Sequence, residues 1–310
     1  MGTVRPATSL GGAMADATTQ LSAAGVDAPK LVAQVLMAHT LGVSRASVVA
    51  SSPTRLLQPY QLSAFRALVA RCVSGEPMAY VIGTTEFYGL EFVIDRRALI
   101  PRPETEHLVE MALARLARSK ANSSSSATRQ TSSPQAPVVD VGTGSGCIVV
   151  SLAVKLPQAR LIATDISSDA LALATDNARR HKVSSRIQFL RGDLLAPVPA
   201  RVEGIVANLP YVTTAEWERL PRNIRDHEPR AALDGGPDGL AYIRRLLAQA
   251  SQCVKPDGWL LLEIGATQGQ AVAALARQVF PLAAVTLHRD YAGLTRIAEI
   301  QLRAVSGVKL

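Results

Sequence analysis

Little in this chain is aromatic. Phe, Trp and Tyr make up 4% of its 310 residues, so aliphatic side chains and alanine must fill any core. Cysteine is scarcer still. Cys72, Cys147 and Cys253 are odd in number and far apart. That points to free thiols in a reducing compartment, not to a disulfide framework or a zinc site. No apolar run reaches the length of about 18 residues that a membrane-spanning helix needs. The first residues lack a basic stretch followed by an apolar one, so no secretory leader is read. With 48% hydrophobic and 19% charged residues, the composition is globular, neither disordered nor collagen-like. The length leaves room for one large domain or two modest ones.

The formal net charge is +8, from 33 Lys and Arg against 25 Asp and Glu. Such an excess can serve nucleic acid. Its distribution favours a plain solvated surface instead. Arg115, Arg118, Lys120 and Arg129, with no acid among them, all fall within residues 111–136 and supply half of the excess.

Residues 1–75 read as a small helical bundle. Leu31, Val32, Val35, Leu36 and Leu41 fall at helical spacing, with Asp27 as cap, Pro29 just inside the start and Gly42 past the end. A second stripe, Leu62, Phe65, Leu68, Val69, Cys72 and Val73, stops at Gly75. Nothing in these helices carries chemistry, and His39 is read as a surface or packing residue. Residues 76–100, rich in β-branched and aromatic residues and broken by glycine, read as a hairpin from Ala79–Gly83 and Glu86–Asp95. Pro103 opens a helix to about Ala117, with Glu104 and Glu106 in the first turn, where the dipole favours acids. The stretch 119–136 is Ser-rich and aperiodic and reads as a flexible insertion.

From Pro137 strand and helix alternate to the end, and residues 101–310 are read as the larger domain. Strands are expected at 137–141, 161–165, 187–190, 204–207, 259–264, 285–288 and 296–302. Repeated β-α units imply a parallel sheet with helices on both faces. The last two strands are joined too closely for a crossover helix and should be antiparallel.

Ligands of such sheets sit at the carboxyl ends of the strands. The first strand runs into Asp140-Val-Gly-Thr-Gly-Ser-Gly146, the second ends in Asp165, Gly192-Asp193 follows the third, and the fourth runs into Asn208-Leu-Pro-Tyr211. A glycine loop at a helix start permits close approach to a ligand. Pyrophosphate would need a cation, yet none follows the loop before Lys155, and Asp140 precedes it. That suits a cationic nucleoside such as S-adenosylmethionine. Asp165 can accept from both ribose hydroxyls and Asp193 from an adenine amino group, with Leu194 beside it. Asn208 offers a side-chain carbonyl, Pro210 stiffens the turn so that the Leu209 carbonyl points inward, and Tyr211 supplies a flat wall. Two acceptors and a wall match a planar NH2. Its delocalised lone pair is a poor nucleophile, and gripping both N–H groups can localise it. No Ser-His-Asp or Cys-His arrangement and no metal-spaced His cluster is found.

Together, Gly75-Glu-Pro-Met-Ala-Tyr-Val-Ile-Gly, Glu86-Phe-Tyr-Gly-Leu, Leu99-Ile-Pro-Arg-Pro-Glu-Thr-Glu, the glycine loop, Asn208-Leu-Pro-Tyr and Asp290-Tyr-Ala-Gly-Leu-Thr-Arg resemble the HemK/PrmC family of release factor glutamine N5-methyltransferases. The likeness runs from about residue 20 to 305. It implies an α/β, Rossmann-like methyltransferase sheet of seven strands behind a small N-terminal helical domain that binds the release factor. It implies S-adenosylmethionine held by Gly142, Thr143, Gly144, Ser145, Gly146 and Asp165. It also implies methylation of the glutamine in the Gly-Gly-Gln motif of class-1 release factors. Asn208 would touch cofactor and glutamine, and Leu209, Pro210 and Tyr211 would shape the glutamine pocket. A cytoplasmic monomer without stable nucleic-acid or membrane binding is expected. Leu209 stands where the family usually has proline, in a form also resembling rRNA adenine dimethyltransferases. Adenine N6-methylation of RNA or DNA is therefore the alternative reading. A non-catalytic cofactor-binding protein is the third.

Overall fold

The computed structural model describes residues 8–124, 137–199 and 201–303. The chain divides into two compact units, one of residues up to Thr84 with Pro221–His227, the other of Thr85–Leu220 and Glu228 onward.

The first unit is helical: α1 (Leu10–Ala23), α2 (Pro29–Leu41), α3 (Arg45–Ala50), α4 (Pro59–Val73) and α5 (Met78–Ile82). Leu21, Leu36, Met37 and Phe65 are almost fully buried at its centre. Ser9 caps α1 by accepting from the Gly12 N–H at 3.2 Å. Three local expectations are corrected here. Ala28, with φ 47°, stands at the start of α2 in place of Asp27. Leu31 faces solvent, and the buried stripe of α2 is Val32, Ala33, Leu36, Met37 and Ala38. Residues 79–82 are helical, not a strand: Pro77 sets an extended start, and Gly83 at φ 82° ends the turn.

The second unit begins with the real hairpin, β1 (Thr84–Phe87) and β2 (Leu90–Val93), turned by Tyr88 and Gly89 at φ 53° and 71°. Helix α6 (Glu104–Ser124) follows. It outruns the expected end at Ala117 and takes the first residues of the Ser-rich stretch, because extending an existing helix costs far less than nucleating one. The rest of the expected insertion, 125–136, lies outside the described residues.

Then come β3 (Val138–Val141), α7 (Cys147–Lys155), β4 (Leu161–Asp165), α8 (Ser168–Arg180), β5 (Ile187–Arg191) and β6 (Val202–Asn208). Two short helices, α9 (Thr214–Trp217) and α10 (Arg222–Arg225), lead to α11 (Ala241–Cys253), β7 (Val254–Glu263), α12 (Gly269–Val279), β8 (Ala284–Arg289) and β9 (Thr295–Gln301). The sheet order is β5-β4-β3-β6-β7-β9-β8; β9 runs antiparallel to both neighbours and the other pairings are parallel. This is the expected seven-stranded α/β sheet with an antiparallel final hairpin. Alternation along β3 sends Val139 and Val141 toward the α11–α12 side and Val138 toward the α6–α7 side. No helix among the described residues is long and apolar enough to cross a membrane.

The chain winds outward from β3 to β5, then returns to place β6 on the other side of β3. Strand order reverses there, and a cleft opens at the carboxyl ends.

Candidate active site

The cleft is a cavity of about 350 Å³ lined from the glycine loop, the ends of β4 and β6, and the stretch Arg97–Thr105. That size suits a small organic ligand. Gly142, Gly144 and Gly146 all adopt left-handed backbone, with φ 72°, 55° and 80°. Side chains there would also collide: a Cβ on Gly142 would come within 3.0 Å of Leu209 Cδ2, and one on Gly146 within 3.1 Å of Ala174 Cα. The glycines thus let Leu209 cover the loop and let α7 seat against α8. Buried Asn177 ties the loop to its surroundings. Its Nδ2 donates to the Ser145 and Val93 carbonyls at 2.9 and 3.0 Å, and its Oδ1 accepts from the Val93 N–H at 2.8 Å.

Asp165 lines the cavity. Its Oδ2 accepts from the Gly144 N–H at 3.0 Å and its Oδ1 from the Ser167 N–H at 2.9 Å. Each oxygen keeps a further acceptor position. Asp193 and Leu194 also line the cavity. Asp193 is ion-paired with Arg245. Leu194 holds φ 52°, a left-handed conformation that branched residues rarely adopt outside functional sites.

Two expected site residues stand elsewhere. Asp140 is 1% exposed and lies beneath the loop, not on the cavity wall. Its Oδ2 accepts from Thr143 Oγ at 2.7 Å and the Val149 N–H at 3.2 Å, bracing the loop against α7. Burial pushes its carboxyl up to about 7, although both hydrogen bonds pull it down. Its Oδ1 meets no donor among the described residues. Tyr211 is not on the wall either. Its hydroxyl donates to Glu263 Oε1 at 3.4 Å, its carbonyl accepts from Gln268 Nε2 at 2.8 Å, and burial, then Glu263, push the phenol up to about 12.

Asn208, Leu209 and Pro210 do line the cavity, with Thr143, Gly144 and Ser145 opposite. Asn208 Nδ2 donates to Thr105 Oγ at 3.0 Å, and Thr105 Oγ donates to Glu263 Oε2 at 2.7 Å. Glu263 is 2% exposed, and Cα register pairs it with Asn208 on the adjacent strand. Burial pushes its carboxyl up to about 7 against the lowering pull of Thr105 and Arg296.

Sequence reasoning missed Thr105 and Glu263 as site residues. Glu263 carried a usable signal, a lone acid ending the apolar strand Trp-Leu-Leu-Leu, since the same strand-end rule had singled out the other acids. The arginines of the cavity were missed as well. Each is neutralised: Arg97 by Asp95 at 2.7 Å, Arg102 by Glu228 at 2.6 Å, and Arg245 by Asp193. A larger open depression of about 490 Å³ lies at the amino ends of β6 and β7, lined by Arg201, Lys255 and Arg303, away from these groups.

Comparison with known proteins fits this geometry. The chain matches the PrmC N-terminal domain over residues 12–83 and the methyltransferase small domain over residues 126–224. It is 39% identical over 290 residues to the release factor glutamine methyltransferase of Nitratidesulfovibrio vulgaris, covering 93% of each chain. The chain belongs to the release factor glutamine methyltransferase family. The Moorella thermoacetica relative of the same name is 40% identical over 285 residues, covering 92% of this chain and 95% of that one. Among solved structures, the catalytic domain of human Mettl16, in complex with an RNA hairpin, is similar with a TM-score of 0.54 at 14% identity, covering 84% of this chain and 88% of that one. That likeness speaks for the fold alone.

Proposed function

We propose that the chain transfers a methyl group from S-adenosylmethionine to the side-chain amide nitrogen of the glutamine in the Gly-Gly-Gln motif of class-1 peptide chain release factors. The observation that carries this reading is Asn208, on the cavity wall with its NH2 engaged by Thr105 and its carbonyl left to accept.

The cavity fits the cofactor. The loop presents backbone without side chains at its glycines, Asp165 offers acceptors for vicinal hydroxyls, and among the described residues the arginines of the wall are each ion-paired with a carboxylate. When bound, S-adenosylmethionine supplies a methyl group on a positively charged sulfur. Gly142 to Gly146, Asp165 and Leu194 would hold it, with Asp193 released from Arg245 or sharing it. Asp140 acts from below, through Thr143.

The chain's own residues then face a planar amide. Asn208 Oδ1 and the Leu209 carbonyl would each accept a hydrogen bond from one N–H, turning the nitrogen lone pair out of conjugation and stabilising the positive charge that develops on nitrogen, which the methylated nitrogen sheds by giving one of these protons to water. Pro210 stiffens the turn that presents them. Tyr211 shapes the pocket indirectly, through Glu263. Positioning does the work, and no covalent nucleophile is needed. We assign the helical unit, residues up to Thr84 with Pro221–His227, to release factor binding, and the unit that carries the hairpin β1–β2 and the seven-stranded sheet to methyl transfer. We take the enzyme to act as a cytoplasmic monomer without stable nucleic-acid binding.

Incubating purified release factor with the chain and methyl-labelled S-adenosylmethionine tests the reading. Label on the motif glutamine is expected, and none on a Gln→Ala substrate. Label entering adenine of RNA or DNA instead would establish the alternative.

A further inference from the structure

We propose that Thr105 and Glu263 are positioning residues that fix which end of the Asn208 carboxamide faces the substrate. The inference rests on the functional reading above only for what that end does.

An asparagine carboxamide is nearly symmetric in shape and opposite in chemistry at its two ends. Facing a substrate NH2, its oxygen accepts; its own NH2 would meet donor with donor. Nothing in the shape of a pocket separates the two, so polarity must come from a hydrogen bond. Thr105 Oγ carries a single hydrogen. That hydrogen goes to Glu263 Oε2 at 2.7 Å, and an ionised carboxylate can only accept. The Thr105 hydroxyl therefore shows Asn208 a lone pair, and only Nδ2 can meet it, at 3.0 Å. The oxygen is left for the cavity that Asn208 lines.

The relay is rigidly mounted. Asn208 and Glu263 are register partners at the carboxyl ends of adjacent parallel strands, and Thr105 lies in the first turn of α6. Thr105 and Glu263 are each 2% exposed, so no bulk water competes for their hydrogen bonds.

A charge is what gives the relay its direction. Once protonated, Glu263 can itself donate to Thr105 Oγ. The Thr105 hydrogen is then free to turn to Asn208, and the carboxamide can sit either way round. The groups facing Glu263 are Thr105 and Glu104 from α6, Tyr211 after β6, Arg296 on β9 and Cys147 at the head of α7. Glu263 titrates near pH 7, as does Asp140 beneath the loop. Only the difference between wild type and Glu263→Gln isolates the relay.

The test uses the full chain and three variants: Thr105→Val, Thr105→Ser and Glu263→Gln. For Thr105→Val the expected result is a kcat lowered about tenfold or more, the scale of one hydrogen bond. Its KM for release factor and its affinity for S-adenosylmethionine, measured by calorimetry, should change by less than about threefold on that same scale. Thr105→Ser, which keeps the hydroxyl, restores kcat. The readout independent of turnover is the side-chain NH2 resonance pair of Asn208. In wild type it should move with a midpoint near pH 7, and in Glu263→Gln that step should vanish. A wild-type kcat in Thr105→Val, or an Asn208 signal with the same pH course in wild type and Glu263→Gln, overturns the relay. Failure of the wild type to methylate release factor would overturn the functional reading instead, and the resonance experiment would still decide the relay.

Discussion

Glu263→Gln should make the protein more stable and less active, and the gain should depend on pH. The side chain is 2% exposed, and burial outweighs its hydrogen bonds in setting its proton affinity. Its carboxyl moves from an ordinary 4.5 to about 7 on folding. Between those values the folded chain binds more protons than the unfolded one, so stability falls as pH rises through that window. By proton linkage the ionised form costs about 3 kcal/mol at pH 8 and about 1 kcal/mol at pH 5. Glutamine keeps the shape and an acceptor for Thr105 but removes the charge. For a unit of this size, about 3 kcal/mol corresponds to a rise of roughly 6–12 °C in the unfolding midpoint. The assay is thermal unfolding followed by near-ultraviolet circular dichroism at pH 8 and pH 5. Equal midpoints for variant and wild type at pH 8, or an equal rise at both pH values, would refute the reasoning.

Three further outcomes are expected. Asn208→Ala should lower turnover by about 10²-fold, the scale of one oriented catalytic polar group, while the unfolding midpoint stays near that of wild type; undiminished turnover would remove its role. Asp165→Ala deletes the acceptor of the Gly144 and Ser167 N–H groups and should weaken S-adenosylmethionine binding about tenfold or more, as expected for losing charge-assisted hydrogen bonds, read by calorimetry. Asn177→Ala strands the Val93 N–H and the Val93 and Ser145 carbonyls; it should cost about 2–4 kcal/mol, visible as a lowered unfolding midpoint.

Much of the larger unit was legible in the sequence because its signals are local. Short, largely apolar runs such as Val138–Val141 and Leu161–Asp165, alternating with helical segments, read as strands of a parallel sheet buried on both faces. The brief connection from Arg289 to Thr295 forces the final hairpin. The glycine loop, Asp165 and Asn208 were found by one rule, that ligands meet strand ends. What escaped depends on contacts distant in sequence. Asp140 and Tyr211 look like wall residues in one dimension. Whether each faces the cavity is decided by Thr143 and Val149 for the first and by Glu263 for the second. Thr105 and Asn208 are 103 positions apart, and no periodicity joins them. The helical turn at Met78–Ile82 was misread because β-branched and aromatic residues there serve a buried helix as well as a strand.

Mass spectrometry of release factor peptides after reaction with the wild-type chain, alongside Asn208→Ala, bears most directly on what the cavity does. One added methyl on the motif glutamine, formed by the wild type and nearly absent with the variant, is the predicted result. An unmodified glutamine with active wild type methylating a different group, or equal modification by both proteins, would contradict the account.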